Sequence, residues 1–111
     1  MRKFNFNDIE APRMHVTLRS GLELQLEIPC VSLIEKLRTG TKMLAQSVTE
    51  NNLSDLGRYY DLAAELLSCN TSNVQISSYD MEHKEHIHID DLVDFFTAYI
   101  EFVNEAGSAK N

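Results

Sequence analysis

A wide apolar face on one segment near the C-terminus limits the folds that this chain can adopt. The apolar residues between Ile89 and Val103 recur at the spacing of one helix face: Leu92, Phe95, Phe96, Tyr99, Ile100 and Val103. With Phe102 included, this face spans about 160° at 100° per residue. Because a surface helix needs an apolar stripe of only about 100°, we expect this helix either to close a core or to contact a partner.

Two runs near the N-terminus alternate apolar and polar residues on either side of a turn signal at Ser20 and Gly21. The apolar members are Met14, Val16 and Leu18 before the turn, and Leu22, Leu24, Leu26 and Ile28 after it. This pattern predicts a β-hairpin with one apolar face, and Pro29 is expected to end the second strand. Because an isolated hairpin is only marginally stable, helices must cover that face.

Two helical stretches follow the hairpin. Ser32 and Glu35 have the spacing of a capping box and predict the start of the first helix, in which Gly40 predicts a kink or a break. Its predicted inner face contains Leu33, Ile34, Leu37, Leu44 and Val48. Ser54 and Asp55 predict the start of the second helix. Its predicted buried stripe contains Leu56, Tyr60, Ala63 and Leu67.

The pattern is least regular over residues 74–88, where a short strand and a capped helical turn are both open. Asp90 is the predicted cap of the final helix, and Gly107 is expected just past its end.

The fold class is therefore α+β, with an N-terminal β-hairpin packed on three to four α-helices and an aromatic-rich C-terminal helix. We expect an N-terminal arm over 1–12, a single domain over 13–106 and a flexible C-terminal tail over 107–111.

Charge and composition exclude several classes of function. The net charge of −7 repels phosphate backbones, so nucleic-acid binding is not expected. No run of 18 apolar residues and no secretory signal is present, so we expect neither a membrane span nor export. Cys30 and Cys69 are then expected to be reduced and buried.

The residues that carry chemistry do not form a known catalytic pattern. The chain lacks a phosphate-binding glycine loop, a nucleophile elbow and an activating context for either cysteine. We therefore expect neither enzymatic activity nor a cofactor. Asp90, Asp91 and Asp94 are explained as partners of the helix N-terminus rather than as paired catalytic acids.

Three histidines at positions 83, 86 and 88 are weak candidates for a metal site. Imidazoles bind transition metals, but the spacing of His83, His86 and His88 fits neither a helix face nor a strand face for all three. Lys84 would also repel a cation. The simpler interpretation is a solvated loop.

The aromatic face leaves two interpretations open. Phe95, Phe96, Tyr99 and Phe102 either form the core, or part of this face binds another chain, with Val93 extending the patch. Wide apolar faces on a small domain also favour self-association, for which a symmetric dimer is the commonest outcome.

Over residues 13–104 the sequence resembles the tail assembly chaperones of long-tailed bacteriophages and prophages of Gram-positive bacteria. The resemblance rests on Leu66–Asn70 leading into Val74–Ser77, and on Ile89–Val103. Proteins of that family end in a similar run, in which an acidic residue and Leu are followed by Phe-Phe, then by Ala-Tyr and then by Phe. Residues 79–88, which contain the three histidines, depart from the family pattern.

The resemblance implies a non-enzymatic protein of the bacterial cytoplasm that is absent from the mature virion. Its expected partner is the tape-measure protein, which it keeps soluble during tail assembly, with the tail-tube protein as a further candidate. Two other functions remain open: a structural virion subunit, such as a head–tail connector or tail terminator, and a metal-responsive regulator that uses the histidines.

Overall fold

The computed structural model of this chain describes residues 3–6, 11–51 and 54–108. Within them lie two strands, β1 (Met14–Thr17) and β2 (Glu23–Leu26), and four helices. The helices are α1 (Val31–Thr49), α2 (Gly57–Ser68), α3 (Ser78–His83) and α4 (Ile89–Ser108). The predicted α+β class is confirmed, with the hairpin first and the aromatic cluster in the last helix. No helix in these ranges is both long and apolar enough to cross a membrane.

The two strands pair antiparallel, with Met14 opposite Leu26 and Val16 opposite Leu24. The turn closes through a 2.9 Å hydrogen bond from the Leu18 amide to the Leu22 carbonyl, and Gly21 supplies the left-handed conformation with φ of 94°. Leu18, Leu24 and Leu26 are buried, as the alternation predicts. The strands are shorter than the apolar runs, so Leu22 and Ile28 lie beyond them and are each 37% exposed.

The core is built around α2, which packs against α1, α3, α4 and β2. Its buried residues are Tyr59, Tyr60, Leu62, Ala63, Ala64, Leu66 and Leu67. From α1, Leu33, Leu37 and Leu44 of the predicted inner face are buried, whereas Ile34 and Val48 are only partly buried. Helix α1 also packs on α4, so the helices and the hairpin enclose one continuous hydrophobic core.

Helix α1 is continuous through Gly40, so the predicted break into two helices at this residue is wrong. A Cβ atom at Gly40 would lie 2.8 Å from Cδ2 of Leu62. The glycine therefore serves packing between helices, because its missing side chain lets α2 approach α1 closely.

The predicted starts of the first two helices are also wrong. Cys30 has an extended backbone and is the N-cap of α1, so Ser32 lies inside the first turn and makes no capping hydrogen bond. Asp55 has φ of 58°, a left-handed conformation that a helix cannot contain, and α2 therefore starts only at Gly57.

Residues 74–88 contain a capped helical turn, which is one of the two alternatives that the sequence left open; the other was a short strand. The Ser77 hydroxyl accepts a 3.1 Å hydrogen bond from the Asp80 amide at the start of α3. Helix α4 begins at Ile89, so Asp90 lies inside its first turn and the predicted cap at Asp90 is wrong. Asp91 instead accepts a 2.8 Å hydrogen bond from the His88 amide. Because α4 extends through Ser108, Gly107 lies inside the helix; the rest of the predicted tail, 109–111, lies outside the described residues.

Asn70 attaches the segment between α2 and α3 to the hairpin. It forms a single antiparallel bridge with Leu26 of β2. Its side-chain NH2 donates 2.8 Å hydrogen bonds to the carbonyls of Leu67 and Val74. Its side-chain oxygen accepts from the amides of Ser72 and Val74. This buried amide is fully satisfied, and it fixes the turn that leads towards α3.

Candidate partner-binding surface

The aromatic face of α4 divides into a buried part and a partly exposed part. Phe96 and Tyr99 are both 0% exposed and belong to the core. Val93, Phe95 and Phe102 are only partly buried and pack at its edge. A partner at the surface therefore cannot contact Phe96 or Tyr99 in this conformation, and of the five candidate residues only Val93, Phe95 and Phe102 remain accessible.

The aromatic rings form one connected cluster. Phe95 lies 5.8 Å from Tyr99 and 6.0 Å from Phe96 between ring centroids, and Tyr99 lies 5.8 Å from Phe102. Two of these three contacts are edge-to-face, the arrangement that the charge distribution of aromatic rings favours. The partly exposed rings are therefore held in place by the buried ones.

The hydroxyl of Tyr99 joins α4 to the end of the hairpin. It donates a 2.6 Å hydrogen bond to the carbonyl of Glu27, just past β2. Burial raises the pKa of the Tyr99 hydroxyl well above its ordinary value. The hydroxyl therefore remains a donor, and Tyr99 is a structural anchor in the core.

An apolar pocket lies between the hairpin, α2, the segment from α3 to α4, and α4 itself, and Phe95 forms part of its wall. The pocket encloses about 220 Å³. Its other apolar lining residues are Val16, Leu18, Leu67, Met81, Ile87 and Leu92. The volume is below the range of roughly 300–1,000 Å³ that is usual for small-molecule sites. It is better suited to one large apolar side chain than to a cofactor.

Three hydrogen bonds hold the hairpin tip beside this pocket. Arg19 donates from Nη1 to Oδ2 of Asp91 at 3.0 Å and to the carbonyl of His86 at 2.7 Å. The Ser20 amide donates to Oε1 of Glu85 at 2.9 Å, and Glu85 is only 2% exposed. The tip is thereby attached both to the first turn of α4 and to the loop before it.

The ion pair at the pocket edge favours the charged form of its carboxylate. The hydrogen bond from Arg19 and, after it, that from the His88 amide lower the pKa of Asp91 below its ordinary value. Asp91 therefore stays ionised at neutral pH. Thr17, Arg19 and Asp91 give the apolar pocket a polar rim.

A second concave surface lies between α1 and α2. This α1–α2 groove has a volume of about 590 Å³ and includes Gly40, Met43 and Leu62. The Met43 side chain is 39% exposed, and Arg58 donates from Nη2 to its sulfur at 3.0 Å. The groove does not include any of the five aromatic-face residues.

The three candidate histidines do not converge on one point. The ring of His83 lies 4.3 Å from that of Tyr79 between centroids. His86 has φ of 52°, and its carbonyl accepts the hydrogen bond from Arg19. The amide of His88 donates to Asp91. In the described residues, no three His, Cys, Asp or Glu side chains are grouped so that they could hold a metal ion.

The two cysteines occupy different environments, and neither forms a disulfide. Cys30 is exposed at the start of α1, which corrects the expectation that it is buried. Hydrogen bonds from the Ser32 hydroxyl and then from the Leu33 amide lower the pKa of the Cys30 thiol. Cys69 is partly buried, and burial raises the pKa of its thiol.

Of the five candidate residues that the sequence pattern indicated, only Phe95 lines the pocket, and the pattern did not indicate the pocket's other lining residues as a site. Met81 and Ile87 lie in the region whose pattern was irregular, and Arg19 lies at the hairpin tip, with no local signal that it meets α4. Met81 is only 2% exposed, and its position four residues after the capping Ser77 is the one signal in the sequence that indicates its burial. Comparison of the chain with protein-family models, curated proteins and solved structures found no match.

Proposed function

We propose that this protein is a bacteriophage or prophage tail assembly chaperone that binds the tape-measure protein and keeps it soluble until the tail is assembled. The observation that carries the proposal is the open apolar pocket beside Phe95, which lies within the segment that resembles this family. In this role the protein acts in the cytoplasm of the bacterial host and does not remain in the mature virion.

The pocket suggests how a helical client is held. A large apolar side chain on the client enters the space of about 220 Å³, and neighbouring apolar positions of the client helix contact Phe95 and Val93. A buried anchor of this kind, surrounded by weaker contacts, commonly supplies most of the binding free energy. The client's exposed apolar surface is then covered for as long as the complex lasts.

The charge of the chain supports the same role. The net charge of −7 keeps a complex that contains an apolar client in solution. Arg19 and Asp91 at the pocket edge offer a polar rim around the apolar anchor point, as is usual for protein interfaces.

Co-expression with the tape-measure protein from the same genome tests this proposal. We expect soluble tape-measure protein with the wild type and insoluble tape-measure protein with a Phe95→Gln variant. Phe102→Gln is the matched control, because Phe102 is also a partly buried ring on α4 but does not line the pocket. Circular dichroism of both variants separates loss of binding from loss of fold.

Two results would contradict the proposal. The first is a tape-measure protein whose solubility is the same with and without this chain. The second is stoichiometric recovery of the chain from purified phage particles, which would indicate a structural virion subunit instead.

A further inference from the structure

We propose that two copies of this chain associate by exchanging their N-terminal arms, so that Phe4 and Phe6 of each copy occupy the α1–α2 groove of the other. This inference goes beyond the proposed function and does not depend on it. It concerns a surface remote in sequence from α4, and it names a second copy of this chain as the occupant.

The arm carries an exposed aromatic pair. The side chains of Phe4 and Phe6 are 72% and 80% exposed, and among the large hydrophobic residues described only Val31, at 72%, is as exposed as Phe4. Their rings contact each other edge-to-face at 4.8 Å between centroids. Two adjacent phenyl rings in water are unfavourable, and an apolar surface on another molecule would cover them.

The α1–α2 groove has the size and the apolar floor that such a pair requires. Its volume of about 590 Å³ falls within the range of roughly 300–1,000 Å³ that is typical of binding clefts. Leu62, which packs against Gly40, and the exposed Met43 supply apolar contacts. The described residues that line the groove all belong to α1 and α2, and the described part of the chain's own arm, residues 3–6, is not among them.

The charges around the groove are partly uncompensated. Lys36 lies 4.0 Å from Glu65 between Nζ and Oε2, and the Arg58 guanidinium lies 3.5 Å from Asp55. The two remaining carboxylates that line the groove belong to Glu35 and Asp61, and neither has an ion pair in the described part of the chain.

The arm carries the complementary charge. Arg2 and Lys3 immediately precede Phe4, so the aromatic pair is preceded by two cations in a chain whose overall net charge is −7. Basic residues at the end of the arm would meet Glu35 and Asp61 at the edge of the groove. When two copies exchange arms, both aromatic pairs are covered and both grooves are filled, which gives a closed two-fold dimer.

Sedimentation velocity on the full chain over a wide concentration range tests the association. We expect a concentration-dependent dimer for the wild type and a monomer for the Phe4→Ser, Phe6→Ser double variant. Since neither ring belongs to the core, the midpoint of urea unfolding of the monomer should be unchanged. A wild type that stays monomeric at every concentration, or a dimer that survives both substitutions, would overturn the proposal.

Reversing the charge of a groove residue tests whether the groove receives the basic arm. Asp61→Lys should raise the dimer dissociation constant about tenfold, within the usual range for coupled contact residues. Asp94→Lys is the matched control, because it makes the same charge change at an exposed position on α4 and should have no such effect. Lys3→Glu combined with Asp61→Lys should restore the association.

Isotope-filtered NMR on a mixture of labelled and unlabelled chains identifies which copy supplies the arm. We expect intermolecular contacts between the ring of Phe6 and the methyl group of Met43. Contacts found only within one chain, or a dimer without contacts between arm and groove, would overturn the exchange.

Discussion

The guanidinium of Arg19 and the carboxylate of Asp91 lie 3.0 Å apart, although 72 positions separate them in the sequence. This contact attaches the tip of the hairpin to the first turn of α4, and both elements line the pocket beside Phe95. The shape of the candidate site therefore depends on a polar contact as well as on the core.

Replacing Asp91 by Asn should remove part of the pH dependence of stability. Because the pKa of Asp91 is lower in the folded protein, its contribution is present above the ordinary aspartate pKa of about 3.9. The contribution is lost as the pH falls through the lower, folded-state pKa. Urea unfolding between pH 6 and pH 3 should give a shallower decline for Asp91→Asn. The neighbouring, exposed Asp90→Asn should keep a decline close to that of the wild type.

Replacing Phe96 by Ala should destabilise the fold rather than act on a binding surface. The side chain is 0% exposed, and truncation of a buried phenylalanine typically costs about 3–5 kcal/mol. Phe102→Ala should cost less, because that ring is only partly buried. Urea unfolding followed by circular dichroism measures both. Equal, small losses for the two variants would place Phe96 outside the core.

Replacing Tyr99 by Phe should leave the Glu27 carbonyl without its hydrogen bond and cost about 1–2 kcal/mol. The matched control is Tyr79→Phe, since Tyr79 is 68% exposed and its loss of a hydroxyl should be nearly neutral. Chemical denaturation at neutral pH compares the two variants. A neutral Tyr99→Phe change would argue against the anchoring role of this hydroxyl.

The same tyrosine predicts a loss of stability in alkali. Its pKa is raised in the folded protein, so Tyr99 retains its proton while the unfolded chain loses it near the ordinary tyrosine pKa of about 10. The free energy of unfolding should therefore fall as the pH rises above about 10, and less steeply in Tyr99→Phe. Identical slopes for the two proteins would contradict this expectation.

Replacing Asn70 by Ala should cost about 3 kcal/mol, because it removes a buried amide with four hydrogen bonds to the surrounding backbone. The control is Gln75→Ala, because Gln75 is exposed and lies in the same connecting segment. It should change the free energy of unfolding by less than about 0.5 kcal/mol. Hydrogen exchange at the amide of Val74 should accelerate only in the Asn70 variant.

Periodicity was sufficient to predict the hairpin, α1, α2 and α4, but it predicted neither α3 nor the ends of the elements. The alternation around Gly21 predicts the hairpin, and the apolar spacing from Leu92 predicts α4, because burial of one face imposes the period in each case. The ends depend on single backbone conformations, such as the left-handed Asp55 that delays α2. Several residues near each end have side chains that are suitable for capping, so spacing alone does not choose among them.

The pocket could not be predicted in the same way. Its wall combines Leu18 from the hairpin tip, Met81 from α3 and Phe95 from α4. These residues meet only because the chain folds back on itself, and no local pattern records that contact. The sequence did identify Phe95 as a candidate, but it did not distinguish this partly exposed ring from the buried Phe96 next to it.

Methyl NMR on the purified protein, titrated with apolar helical segments of the tape-measure protein, tests the central claim most directly. The account predicts that the methyl resonances of Met81 and Ile87 shift with saturation, while that of Met43 in the α1–α2 groove does not. Absence of any shift at saturating client, or shifts confined to residues away from the pocket, would contradict it.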